Sequence, residues 1–199
     1  MRRAWSAALL AALIFDVGIA AAQMAKRSSG QAQASVAKSN AFRQGVAGFL
    51  ARRSQLQQQA KMAFNQEMAR KKAGDCLNAR STYEEVMCLS KAVDATAANY
   101  KSFTGALRAL LGQKNPLVTN EEDAVSGATG KPLTSQEMLK EFDQVEIEWE
   151  KYRKDQCAAA YDLFKGGTIA PVMAGECQLD LMRSRMAGLN SIYGMTLHH

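Results

Sequence analysis

Apolar residues recur at helical spacing in four stretches of the chain, and the breaks between them set the predicted elements. From 40 to 72, Phe42, Val46, Phe49, Leu56, Ala60 and Ala63 follow three- and four-residue steps, interrupted by Arg53, with no proline. That period predicts one long amphipathic helix. Ser81 and Thr82, each followed three residues later by Glu84 or Glu85, form a capping signature for the next. Val86, Leu89, Val93, Ala97, Tyr100, Phe103, Leu107 and Leu111 continue its stripe to a stop at Gly112 and Pro116. A third helix begins at Ser135 with Glu137 and Glu141 nearby, presents Leu139, Phe142, Val145, Trp149 and Tyr152, and runs to about Phe164. Gly166-Gly167 ends it, and Pro171 suits the first turn of a last helix burying Cys177, Leu181, Leu189 and Ile192.

The segments between differ in kind. Residues 112–134 hold two of the three prolines and little periodicity, so a long loop is expected there. Its SGATGK lacks the earlier Gly and the following Ser or Thr of a phosphate loop. Residues 23–39 are rich in Ala, Gln and Ser without an apolar period, which suggests a flexible tether. Residues 1–22 join Arg2 and Arg3 to an apolar run, Ala8 to Ile14, and a small-residue Ala20-Ala21-Ala22. This is the pattern of a signal peptide cleaved before Gln23, too short to span a bilayer, so a periplasmic or secreted product is expected.

Four cysteines then acquire a meaning. Cys76, Cys88, Cys157 and Cys177 fit an oxidising compartment and two disulfides. Three connectivities are open, and the clustering into C-x11-C and C-x19-C favours Cys76–Cys88 with Cys157–Cys177. In the second pair each cysteine lies ten residues from Gly167, so an antiparallel helix pair brings both to one height. A structural zinc is a weak rival, since no CxxC occurs and the only histidines are His198 and His199.

Charge divides the chain. Residues 23–72 carry ten Lys/Arg against the single acid Glu67, a net of +9, whereas residues 73–199 carry thirteen bases and seventeen acids, a net of −4. The basic helix has two readings: its stripe packs on the domain or on its own copy, or its Arg43, Arg52, Arg53 and Lys61 meet an anionic envelope surface. Most charge runs are solvated faces, which favours the first.

No enzyme constellation appears. There is no His before the last two residues to serve as a base for a nucleophile. The carboxylates Glu141, Glu146, Glu148 and Glu150 read as an exposed helical face, and Ser35-Val-Ala-Lys38 lies in the tether. Trp149, Arg153 and Cys157 share one face, so Arg153 is placed to lie over the Trp149 ring and to reach a carboxylate.

At these positions a resemblance emerges. Cys76-x11-Cys88 with Thr82 and Glu85 between, then Asp94 and Asn99, resembles the opening of the lysozyme-inhibitor LprI-like N-terminal domain family. Trp149-x2-Tyr152-Arg153-x3-Cys157, Gly167-Thr168 and Cys177-x3-Leu181-x3-Arg185-x3-Leu189 resemble its second half. The basic helix, the long loop and Met182 depart from the pattern. The resemblance implies an all-α, disulfide-stapled small bundle of about three helices over 73–199, here preceded by a long basic amphipathic helix over 40–72. It also implies an exported, non-enzymatic binding protein, with lysozyme inhibition as the family's namesake activity. A protein partner is expected, lysozyme or an envelope protein, steered by an acidic face and the Glu121-Glu122-Asp123 loop. The alternative is an envelope structural or interaction module whose basic helix docks on membrane, cell wall or protein; self-association through 40–72 is a third possibility. No cofactor and no nucleic-acid partner are expected.

Overall fold

The computed structural model describes residues 6–116 and 134–198, with side chains from residue 33 onward. It contains α1 (Ser6–Ala73), α2 (Thr82–Leu111), α3 (Ser135–Leu163), α4 (Ala170–Ile192) and the short α5 (Gly194–His198), and among the described residues no strand. The expected all-α class holds. The chain divides into two compact units, 1–48 and 49–199.

The first unit is helical from Ser6 onward. Residues 23–39, expected as a tether, belong to that helix: they contain no proline, and Ala, Gln and Lys are good helix formers even without an apolar stripe. Within this unit Val36 and Phe42 are exposed.

In the second unit, neighbouring helices alternate in direction, as the cross-helix bonds show. Gln59 meets Ser102 and Arg70 meets the Ala92 carbonyl; Arg108 meets Asp143 and Tyr100 meets Glu146; Arg153 meets Gln178. The C-terminal part of α1 is thus a fourth member of an up-down-up-down bundle. Its Leu56, Ala60 and Ala63 join Phe103, Leu107, Met182, Met186 and Leu189 in one core. Packing on its own domain, the blander of the two readings of this helix, describes this part.

Local chemistry ends and begins each element. Three bases, Arg70, Lys71 and Lys72, occupy the last turn of α1, where the helix dipole favours them. Gly74 then takes φ 77°, and its N–H closes on the Arg70 carbonyl at 3.0 Å. Ser81 caps α2 by accepting from the Glu84 N–H. Thr134 and Glu137 form a reciprocal capping box on α3, the cap lying just before the expected Ser135. Residues 117–133 of the expected loop lie outside the described residues.

Both disulfides pair as the clustering favoured, Cys76–Cys88 and Cys157–Cys177. The buried seams, however, are rotated from the purely apolar ones. On α3, Val145 and Tyr152 are exposed, and the inward row runs Leu139, Phe142, Glu146, Trp149, Arg153, Cys157. Two charged residues occupy this row because partners on α4 await them, and a hydrophobic count passes over such positions. On α2 Thr96 is buried and Ala97 is exposed. On α4 the seam is Leu179, Met182, Arg183, Met186 and Leu189, whereas Ile192, at the helix end, is 70% exposed.

Candidate functional site

Two charged clusters tie the bundle together. The first centres on Glu67, which falls four residues after Ala63 in the phase of the buried stripe and is fully enclosed. Its carboxylate accepts from Thr96 Oγ1 at 2.7 Å, Asn99 Nδ2 at 2.8 Å, Arg70 at 3.0 Å and Arg183 Nε at 2.8 Å. Arg183 and Arg70 also reach Asp75, at 2.7 and 2.8 Å. Burial opposes ionisation of Glu67, but the hydrogen bonds from Asn99, Thr96 and Arg183 and the charge of Arg70 outweigh it, so the carboxyl stays below its ordinary range. Burial likewise works against the charge on Arg183, and Glu67 and Asp75 reverse the effect, raising its pKa.

The second cluster lies where α2, α3 and α4 meet. Arg185 donates to Glu146 at 2.6 Å, and Tyr100 donates its hydroxyl to the same carboxylate. Burial and the adjoining Glu146 push the Tyr100 phenol up. Tyr100 stacks on Trp149 with ring centres 4.9 Å apart, and the Arg153 and Arg185 guanidinium carbons lie 5.7 and 6.0 Å from the Trp149 ring. Arg153 also donates to Glu150 at 2.7 Å and to Gln178. The placement expected for Arg153, over the ring and on a carboxylate, is what is found.

Beside this cluster lie two adjoining open cavities of about 430 and 640 Å3 that share Arg108, Asp143, Glu146 and Glu150. Arg108 and Asp143 close a bidentate pair at 2.6 and 2.7 Å at the rim. The carboxyl of Asp143 is held below its usual range by that bond. The outer side of α3 carries Glu141, Val145, Glu148 and Tyr152, all exposed.

The remaining sequence candidates are dispersed. Thr82 opens α2 and Glu85 lies in its first turn; Asp94 is exposed. The Gly167 N–H bonds the Phe164 carbonyl at 3.0 Å in the α3–α4 turn. Leu181 is half-buried and Leu189 buried. Arg43 and Lys61 are exposed, Arg52 bonds Gln55, and Arg53 reaches the Thr196 carbonyl at 3.4 Å. Glu121, Glu122 and Asp123 lie outside the described residues. Glu67, Arg183 and the inward role of Glu146, expected to be on an exposed face, were missed. The available clue was phase: the lone acid of a basic helix standing in register with Leu56, Ala60 and Ala63.

Among the described residues no helix is long and apolar enough to cross a membrane. No curated protein and no solved structure matches the chain. The model of one family does match, that described as lysozyme inhibitor LprI, over residues 74–189. This span takes in both disulfides and the α2–α4 bundle with its Trp149–Arg153–Arg185 cluster, and it covers more than half of the chain: the protein belongs to the LprI lysozyme-inhibitor family.

Proposed function

We propose that this is an exported, non-enzymatic protein that binds and inhibits lysozyme. The observation that carries the reading is the family match over 74–189, coincident with the stapled part of the bundle. Net charge does not carry it: residues 73–199 hold a net of −4, but with the +9 of residues 23–72 the exported chain is +5, so attraction to a basic lysozyme rests on a local acidic face, not on the molecule's overall charge. Two disulfides, which persist outside the reducing cytosol, and the signal-like pattern of residues 1–22 support the export part of the proposal. A lysozyme turnover assay on isolated cell walls tests this. Inhibition at stoichiometric concentrations is expected; full turnover in the presence of excess protein removes the reading.

The basic segment favours a second role, attachment to an anionic envelope surface. Residues 33–53 carry Lys38, Arg43, Arg52 and Arg53 with no acid, and Phe42 and Leu50 are 53% exposed. Salt-sensitive sedimentation with anionic vesicles, weakened by Lys38→Glu and Arg43→Glu, is the expected result. Equal sedimentation of the charge-reversed chain refutes it.

A further inference from the structure

Several apolar side chains of the bundle are exposed, and α3 carries a group of them. On its outer side Val145 is 47% and Tyr152 is 53% exposed, with Ile147, 64% exposed, off their stripe. Val145 and Tyr152 are seven residues apart, so they stand on one stripe, and Glu141 and Glu148 occupy the steps between and before them. Of the two aromatic residues in the Trp149-x2-Tyr152 pair, Trp149 is packed inside against Tyr100, whereas Tyr152 points out.

The surrounding charges specify what fits there. Residues 135–155, which span the stripe and its flanks, carry seven carboxylates against Lys140, Lys151, Arg153 and Lys154. Three of the seven are neutralised within the bundle: Asp143 by Arg108, Glu146 by Arg185 and Glu150 by Arg153. Those ion pairs leave out Glu141 and Glu148, and Glu148 receives only the Gln144 amide, at 2.9 Å. The stripe therefore alternates two carboxylates that stand outside these ion pairs with apolar surface, and the exposed Lys151 and Lys154 flank its Tyr152 end. Its complement is a protein surface of lysines and arginines around a shallow apolar spot.

We propose that the stripe Glu141–Val145–Glu148–Tyr152 is the docking face for the basic partner, with Tyr152 as the buried anchor and the two glutamates as the steering and register charges. The assignment rests on the lysozyme reading above, and it places the partner on a rigid helix of the bundle. Tyrosine suits the anchor role because it gives a large contact at little cost in side-chain entropy.

The test uses the exported chain with both disulfides formed, titrated against lysozyme at low and high salt, with binding and wall turnover measured in parallel. The variants are Glu141→Lys/Glu148→Lys, Tyr152→Ala, and Asp180→Lys as a surface charge control on α4, each checked for native helicity. The double reversal is expected to weaken binding by roughly tenfold or more and to slow association most at low salt. Tyr152→Ala is expected to weaken binding roughly five- to thirtyfold at either salt, and the control by less than about twofold. If the unaltered chain inhibits and both stripe variants inhibit equally well, the docking face is wrong and the lysozyme reading stands. If the unaltered chain neither binds nor inhibits, both fall. If the chain without lysozyme is a dimer that the double reversal dissociates, the stripe is covered by a second copy and this assignment is overturned.

Discussion

Arg183 donates through Nε to Glu67 at 2.8 Å, joining residues 116 positions apart where their side chains are 6% and 0% exposed. The bond connects α4, inside the family-matched span, to α1, which lies outside it. This makes the part of α1 from residue 49 onward a member of the bundle through charge as well as through Leu56, Ala60 and Ala63.

Removing one partner of this pair is expected to be costly. Glu67→Ala leaves the Arg183 guanidinium enclosed with only Asp75 to balance it, alongside Arg70, and also deprives Thr96 and Asn99 of their acceptor. A loss of about 3–5 kcal/mol is expected, which lowers the melting temperature by roughly 6–20 °C for a chain of this size. Thermal unfolding followed by helical circular dichroism measures it, with exposed Glu148→Ala as a reference within about 0.5 kcal/mol. A shift no larger than the reference means that α1 is held by its apolar contacts alone.

The same carboxylate sets an acid limb. Its folded pKa is lowered, so the unfolded chain binds the proton more tightly. The stabilisation is full above the unfolded value, near 4.5, and is lost as pH falls through the lower folded value. Denaturant midpoints should therefore drop below about pH 4.5, and the drop should be shallower in Glu67→Gln, which has no charge to lose. Parallel acid limbs in the two proteins would assign the acid sensitivity to other groups.

Tyr100 gives the opposite sign at the alkaline end. Its folded pKa is raised above 10.0 by burial and Glu146, so its contribution is complete below that value and is lost as pH climbs past it. Burial also raises the Tyr193 phenol, so ultraviolet titration of phenolate should show Tyr100 and Tyr193 ionising after the other tyrosines, with Tyr100 the later of the two, and Tyr100→Phe should remove the last step. Simultaneous ionisation of all five tyrosines contradicts the Tyr100–Glu146 bond.

The two disulfides should differ slightly in worth. By loop-closure entropy the Cys157–Cys177 bridge, with separation 20, contributes about 3.3 kcal/mol, and Cys76–Cys88, with separation 12, about 2.8 kcal/mol. Paired Cys→Ala variants compared in urea check the order. A larger loss from the shorter bridge would show that holding the α1–α2 connection matters more than the length of the loop closed.

Packing offers a sharper discrimination between pattern and structure. Phe103 is fully buried, and Phe103→Ala should cost about 3–5 kcal/mol. Ile192, which the apolar period assigns to the same core, is 70% exposed, and Ile192→Ala should cost less than about 0.5 kcal/mol. Equal losses in the urea midpoints of the two variants would restore the periodic assignment.

The sequence by itself determined the elements and their staples. Capping residues such as Ser81, the stops at Gly112 and Gly166-Gly167, and the two cysteine spacings act locally, so their consequences can be read from a short stretch of chain. It also carried the family pattern and the separation of charge between 23–72 and 73–199. Tertiary structure alone decided which side of each helix faces inward. Hydrophobic periodicity chooses the side with the most apolar residues, whereas burial depends on what the neighbouring helix supplies. Glu67, Glu146 and Arg183 go inside because Arg183, Arg185 and Glu67 meet them there, and Val145 and Tyr152 are turned out by the same rotation. Pairings across 39 and 116 residues have no local signature, and they fix the side of α3 that faces outward.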